Sequence, residues 1–125
     1  MLVFRRILLL GSLLVLARIA IATPSVASAR AVKVQYRLAE QSPDRLETIL
    51  GDLVARAMVA IPRVAQVRSR FDHGATFFEI QFDGGANESD LAVVASEIDR
   101  LQLGDKLDII SREITLVKPL PADAF

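Results

Sequence analysis

Residues 64–82 read VAQVRSRFDHGATFFEIQF, two runs of alternating apolar and polar side chains separated by the triplet DHG at residues 72–74. Alternation with a period of two predicts half-buried strands, and a short connection that contains glycine predicts a β-hairpin between them. In the second run Phe78 and Phe82 share one face, whereas Phe77 lies on the other. The chain is therefore expected to contain a hairpin with one apolar face to cover.

An amphipathic segment lies on each side of this hairpin. Residues 42–61 begin with Ser-Pro-Asp, a combination typical of a helix N-cap, and their apolar side chains recur every three or four positions until Pro62. Residues 87–101 begin with Asn87 and place an acid at Asp90, a plausible capping pair. Gly104 is predicted to close this second helix in a left-handed conformation.

Two further strands complete the predicted domain. Residues 32–38 alternate regularly, whereas residues 107–117 change phase, which predicts a β-bulge near Ser111 or Arg112. The resulting order, β-α-β-β-α-β, predicts an α+β fold: a ferredoxin-like two-layer sandwich with a four-stranded antiparallel sheet. The domain is expected to span residues 30–118, with residues 119–125 as an irregular tail.

The first 29 residues form a leader with a basic start at Arg5 and Arg6 and an apolar run over residues 7–17. The run suits a signal peptide and is short for a membrane span, which needs about 20 residues. The small residues at 27–29 predict cleavage before Arg30. An uncleaved anchor that contacts the membrane through residues 3–22 and a buried helix of a cytosolic protein are the alternatives.

The basic start of the leader predicts where the domain is located. Positive charge is retained on the cytoplasmic side of a membrane, so a cleaved leader and an anchor both place the domain outside the cytoplasm. We therefore expect a periplasmic protein, or a protein anchored in the inner membrane with its domain in the periplasm.

Charge and composition exclude several classes of function. The chain has 15 basic and 15 acidic side chains, but the leader holds only basic ones, which leaves residues 30–125 with 12 basic and 15 acidic side chains and a net charge of −3. Such a domain has no electrostatic reason to bind nucleic acid. The chain has no cysteine, so disulfides and thiolate metal sites are excluded. We predict no cofactor and no metal site.

Four motifs that could carry chemistry have simpler explanations. Arg45 lies where a phosphate-binding loop would need an arginine, but no glycine occurs between residues 30 and 50. His73 follows Asp72 in a turn, which is weak evidence for an acid/base pair. Residues 74–82 faintly resemble an RNA-recognition strand, although the acidic domain offers no basic platform.

The fourth motif is a group of acids after the hairpin, whose spacing does not match a calcium loop and fits helix capping better: Asp83, Glu88 and Asp90. No nucleophile elbow or paired acid/base constellation is present either. The sequence thus predicts no catalytic, cofactor-binding or metal-ligating residue. We predict that the chain is not an enzyme.

Taken in order, the segments resemble the N-terminal region of resistance-nodulation-division (RND) efflux transporters, where a first membrane helix leads into a porter subdomain. The likeness rests on the leader, on SPDRLE at residues 42–47, on AIPRVAQVRS at residues 60–69 and on FEIQFDGGA at residues 78–86. Arg63 departs from the family pattern, which usually has glycine there. The resemblance implies the same β-α-β-β-α-β topology and transfers structural positions only.

The resemblance covers a single subdomain, without the other porter subdomains or the proton-relay residues of such transporters. It therefore implies a non-catalytic cell-envelope module that acts by protein–protein contact, with a transport complex or a second copy as partner. Phe77 on the outward sheet face and the strand edges are the expected contact points. The alternative is a small periplasmic ligand-binding or sensory domain that uses a groove between helices and sheet.

Overall fold

The computed structural model describes residues 30–125, so the predictions for residues 1–29 lie outside the described part. The first helix, α1, has three consecutive parts, α-helical at Pro43–Leu46, π-helical at Glu47–Gly51 and α-helical again at Asp52–Val59. The other elements are β1 (Ala31–Leu38), β2 (Val64–Asp72), β3 (Ala75–Phe82), α2 (Glu88–Arg100) and β4 (Ile109–Val117), with 3₁₀ turns at Leu103–Asp105 and Ala122–Ala124. No helix within this part has the length and apolar character that a membrane crossing requires.

The four strands form one antiparallel sheet in the order β2-β3-β1-β4, with both helices on one face. The predicted ferredoxin-like sandwich is confirmed. Its core lies between the helices and the sheet and consists mainly of aliphatic and aromatic side chains that are almost fully buried: Val32, Val34, Tyr36, Leu38, Leu46, Leu50, Val54, Met58, Phe78, Ile80, Val94 and Ile98.

The first helix begins where the sequence predicts, because the Ser42 side chain accepts a hydrogen bond from the Arg45 amide at 3.3 Å and Pro43 takes the first helical position. The π-helical turn in its middle is not visible in the apolar spacing. Gly51 ends this turn close to β2, since a Cβ atom there would lie 3.3 Å from Cζ of Phe71. The glycine thus permits a close approach of helix and sheet.

The second helix has the predicted N-terminus but a different C-terminus. The Asn87 and Asp90 side chains each accept a hydrogen bond from the other's backbone amide, forming a complete capping box. The left-handed residue after the helix is Gln102 (φ 49°), whereas Gly104 lies in the following 3₁₀ turn, so the prediction for Gly104 is wrong. The chain turns early because the buried Leu103 must return to the core.

The predicted bulge in β4 is confirmed, and it explains the change of apolar phase. Arg37 pairs with Ser111 and the next residue, Leu38, pairs with Ile109, so Ile110 is the extra residue. Ile110 is 63% exposed, while Ile109 packs against the core. The strand begins two residues later than the predicted start at residue 107.

Arg63, between α1 and β2, has a left-handed backbone with φ 69°. This conformation favours glycine, and the Arg63 side chain offsets its cost through hydrogen bonds to the start of α2. Nη1 lies 3.1 and 3.2 Å from the two carboxylate oxygens of Asp90, and Nη2 donates to the carbonyl groups of Asp83 and Gly85 at 3.1 and 3.0 Å. One side chain thus connects the α1–β2 junction to the β3–α2 junction.

Candidate functional site

The sheet face turned away from the helices, here called the open face, presents polar side chains with one aromatic among them. Alternation along each strand and the observed register place these residues on it: Lys33 and Gln35 from β1, Gln66, Arg68 and Arg70 from β2, Phe77, Glu79 and Gln81 from β3, and Glu113 and Thr115 from β4. A polar face of this kind would ordinarily be hydrated. The centre of this one is buried.

Glu79 and Arg68 form an ion pair at that centre, directly opposite each other on β3 and β2. The Glu79 residue is 0% exposed and the Arg68 side chain 13%. Nε of Arg68 donates to Oε1 of Glu79 at 3.1 Å, Nη2 contacts the same oxygen, and the Gln81 amide donates to it at 2.6 Å. A buried charge is tolerated only when it is paired and hydrogen-bonded in this way.

The hydrogen bonds to Glu79 affect its pKa more than the burial of the carboxylate does. Burial by itself would raise the pKa of Glu79, but donors from Gln81, the Leu120 backbone and Arg68, together with the positive charge of Arg68, hold that pKa below its ordinary value of 4.5. Glu79 is therefore ionised at neutral pH, and the pair is an internal salt bridge.

Residues 118–125, here called the tail, cross the open face and cover this pair. The Leu120 backbone amide donates to Oε2 of Glu79 at 2.9 Å, and the Leu120 carbonyl accepts from Nη2 of Arg68 at 2.5 Å. Further along, Nη1 of Arg70 donates to the Ala124 carbonyl at 3.1 Å. The ion pair thus binds both hydrogen-bonding groups of one backbone residue, in the manner of a strand neighbour.

The tail ends in an aromatic contact. The Phe125 ring lies 5.7 Å from the Phe77 ring, and the Arg68 guanidinium lies 4.3 Å from the centre of the Phe125 ring, a distance suited to a cation–π interaction. Phe77, which was expected to face outward, does so, but Phe125 packs against it. The predicted irregular tail therefore has a defined position and includes one 3₁₀ turn.

A second concave region is the groove between α2 and β4. It has a volume of about 480 Å³ and is lined by Leu91, Ala92, Ala95 and Ile114, with Glu88 and Arg112 as its polar groups. Arg112 donates to Asp99 at 2.5 Å, and its guanidinium lies close to the Tyr36 side chain. Burial raises the pKa of Tyr36, and the neighbouring guanidinium only partly opposes this. The groove combines apolar walls with an oriented cation.

The structure does not bring the other candidate residues together. His73 is exposed, with Nδ1 3.1 Å from the Gln41 carbonyl, while Asp72 pairs with Arg70 at 3.0 Å. Arg45 pairs with Glu40 at 3.3 Å beside a polar pocket of about 370 Å³ formed with residues 104–108.

The acids after the hairpin are likewise dispersed. Asp90 caps α2 and binds Arg63, and Glu88 lines the groove. Within residues 30–125, no group of three acidic or histidine side chains is placed to hold a metal ion.

Comparison with known proteins gives a likeness of fold. No model of a protein family matches the chain, and no curated protein matches it. Six solved chains do match. One is a crystal structure of an antibiotic biosynthesis monooxygenase, 14% identical, which aligns with 74% of this chain and 99% of its own length at a TM-score of 0.50. At this identity the likeness shows a shared ferredoxin-like fold.

This likeness contradicts the prediction that the chain is not an enzyme, because the matched protein of the same fold is a monooxygenase. The prediction rested on missing nucleophile and acid/base motifs. A site assembled from side chains of several distant elements leaves no local motif of that kind, so the missing motifs do not exclude catalysis.

Proposed function

We propose that the chain is a cell-envelope interaction module that resembles a porter subdomain of RND transporters and acts by protein–protein contact. Its expected partner is a transport complex, with self-association as the alternative, and its expected location is the periplasm or the periplasmic side of the inner membrane. The observation that carries the proposal is the open face, which holds a polypeptide segment against a buried ion pair through the backbone of Leu120.

Two features of the described residues support the resemblance behind this proposal. The element order and the sheet order agree with the topology that the resemblance implies. Arg63 also departs from the family's glycine at a position whose φ of 69° favours glycine. The backbone there has the conformation that the family's usual residue would adopt most easily.

Site-specific photo-crosslinking in the native envelope tests the proposal. A photoreactive residue replaces Gln66 on the open face in one variant, and Arg56 on the outward side of α1 in a matched control; both positions are exposed. We expect Gln66 to form adducts with an envelope transport protein or a second copy, and Arg56 to form none. Equal adduct patterns at the two positions, or no envelope adduct at Gln66, would contradict the proposal.

The groove between α2 and β4 favours a second candidate function, the binding or oxidation of a small apolar molecule. Its support is the apolar wall with Arg112 at its edge, together with the fold shared with a monooxygenase. The ligand class that fits is an apolar molecule with one anionic or hydrogen-bond-accepting group facing the guanidinium.

Thermal shift and oxygen uptake with a panel of aromatic and aliphatic acids test this candidate. Ala95→Trp would fill the groove, whereas Val93→Trp, at a position that is 40% exposed, is the control. We expect a saturable response in the native chain and in the Val93 variant, and its loss in the Ala95 variant. A response that survives Ala95→Trp would place the ligand elsewhere.

A further inference from the structure

We propose that the open face is a binding site for an extended segment of a partner protein, and that the tail, residues 118–125, is a built-in competitor which occupies the site until that partner displaces it. This inference rests on the proposed function and names the class of partner and its regulation. The partner is expected to supply an extended residue at the ion pair and, after a turn, an aromatic side chain.

The first argument is that the central contacts recognise backbone. Glu79 accepts from the Leu120 amide at 2.9 Å, and Arg68 donates to the Leu120 carbonyl at 2.5 Å. Neither contact uses the leucine side chain. Any residue other than proline, which lacks the amide hydrogen, can supply both groups in an extended segment.

The second argument is that the pair is incomplete without a segment. If the tail leaves, Oε2 of Glu79 loses its backbone donor and Nη2 of Arg68 loses its backbone acceptor, and water must take the place of both groups. A second segment would replace both backbone groups and the aromatic contact together, whereas water replaces only the hydrogen bonds. The face is therefore expected to exchange one segment for another more readily than to remain open.

The third argument is that the aromatic contact gives the site a preference for a segment that carries an aromatic side chain. Phe77 and Arg68 form a shelf on which the Phe125 ring lies, at 5.7 Å from the ring of Phe77 and 4.3 Å from the guanidinium. Arg70 fixes the preceding carbonyl, that of Ala124. The 3₁₀ turn at Ala122–Ala124 brings Phe125 back to the guanidinium that binds Leu120, so a partner segment with a similar turn and an aromatic residue five positions after its backbone contact would satisfy the same groups.

The tail competes through its attachment to the domain. A segment joined by a short connection has an effective concentration in the millimolar range, so a free peptide of equal intrinsic affinity cannot displace it at micromolar concentration. Weakening the tail without altering the face should open the site. Phe125→Ala weakens the contact of the tail and leaves the face unaltered, because Phe125 belongs to the tail and the shelf of Phe77 and Arg68 stays intact.

Fluorescence anisotropy with a labelled peptide of residues 118–125 tests the inference on the full chain. We expect the Phe125→Ala chain to bind the peptide at least about tenfold more tightly than the native chain, whose tail occupies the site. A peptide with alanine as its last residue should bind neither chain. Adding Phe77→Ala to Phe125→Ala should abolish binding, and circular dichroism confirms that each variant is folded.

Several outcomes would overturn the inference. These are equal binding to the native and Phe125→Ala chains, binding insensitive to Phe77→Ala, or no binding to the Phe125→Ala chain or to a second tail variant, Leu120→Pro, which removes the backbone donor. Sedimentation that shows a dimer of the Phe125→Ala chain which excludes the peptide and which Phe77→Ala dissociates would assign the face to a second copy instead. Peptide binding needs no envelope partner, so this experiment can succeed where crosslinking fails, and the two proposals fail separately.

Discussion

A single carboxylate, that of Glu79, ties the tail, β2 and β3 together. It is ionised and fully buried, and it accepts hydrogen bonds from Gln81, Leu120 and Arg68. Its removal would leave the Arg68 guanidinium, which is 13% exposed, without a counter-charge. The cost of breaking a buried pair in this way exceeds the value of the pair itself.

We expect Glu79→Gln to lower the free energy of unfolding at pH 7 by about 3 kcal/mol, measured by urea denaturation. Glu113→Gln is the matched control, since Glu113 lies on the same face in an ion pair with Lys33 and its side chain is 55% exposed. Such exposed pairs contribute under about 1 kcal/mol. Equal losses in the two variants would show that the burial of Glu79 has no energetic consequence.

The lowered pKa of Glu79 also predicts the pH dependence of stability. The folded protein keeps this carboxylate ionised at pH values where the unfolded chain already binds a proton, so its stabilisation is complete above 4.5 and is lost as the pH falls through the lower folded pKa. We expect the acid loss of stability to be smaller in Glu79→Gln than in the native chain. If urea denaturation showed the same loss of unfolding free energy between about pH 6 and about pH 3 in both chains, this prediction would be contradicted.

Arg63 combines a strained backbone with useful side-chain contacts, and two substitutions separate these effects. Arg63→Ala and Arg63→Gly both lose the contacts with Asp90, Asp83 and Gly85, but only glycine relieves the backbone at φ 69°. We expect Arg63→Gly to be about 1 kcal/mol more stable than Arg63→Ala in urea denaturation. Gln102 has φ 49°, so Gln102→Gly should likewise be more stable than Gln102→Ala. If the alanine variant were the more stable one at both positions, the interpretation would be contradicted.

At the scale of elements, the N-terminus of α2 combines a helix cap with an ion pair to the α1–β2 junction. Asn87 and Asp90 form the capping box, and Asp90 also receives Arg63. We expect Asn87→Ala to cost about 1 kcal/mol of stability in thermal or urea unfolding. Asn87→Asp keeps the acceptor and should remain near the native value; a similar loss in both variants would mean that the cap contributes little.

The elements differ in how well they follow from the sequence, for physical reasons. The apolar stripes, both N-caps and the bulge in β4 reflect local chemistry or periodicity, and they were predicted correctly. The π-helical turn before Asp52 and the left-handed Gln102 depend on how the chain meets the core, through Gly51 against Phe71 and through the burial of Leu103. Local patterns carry no information about such tertiary contacts.

For the whole molecule, the candidate site also has one part that follows from local patterns and another that depends on tertiary contacts. Alternation placed Phe77, Glu79 and Gln81 together on one face, and correct pairing of the hairpin would have put Arg68 opposite Glu79. The tail could not have been located this way, because its contacts with Glu79 and Arg68 connect positions 41 and 52 residues apart. The groove between α2 and β4 similarly joins side chains from separate elements.

The central position of β1 in the sheet has a consequence for folding kinetics. β1 is the first strand of residues 30–125, yet its partners in the sheet are β3 and β4, which follow both the first helix and the hairpin's first strand. The entropy of closing these long loops must be lost before the pairing stabilises the sheet, and domains with such non-local contacts fold slowly. The sheet cannot close until β4 has left the ribosome, so the nascent chain remains without its complete sheet through most of its synthesis.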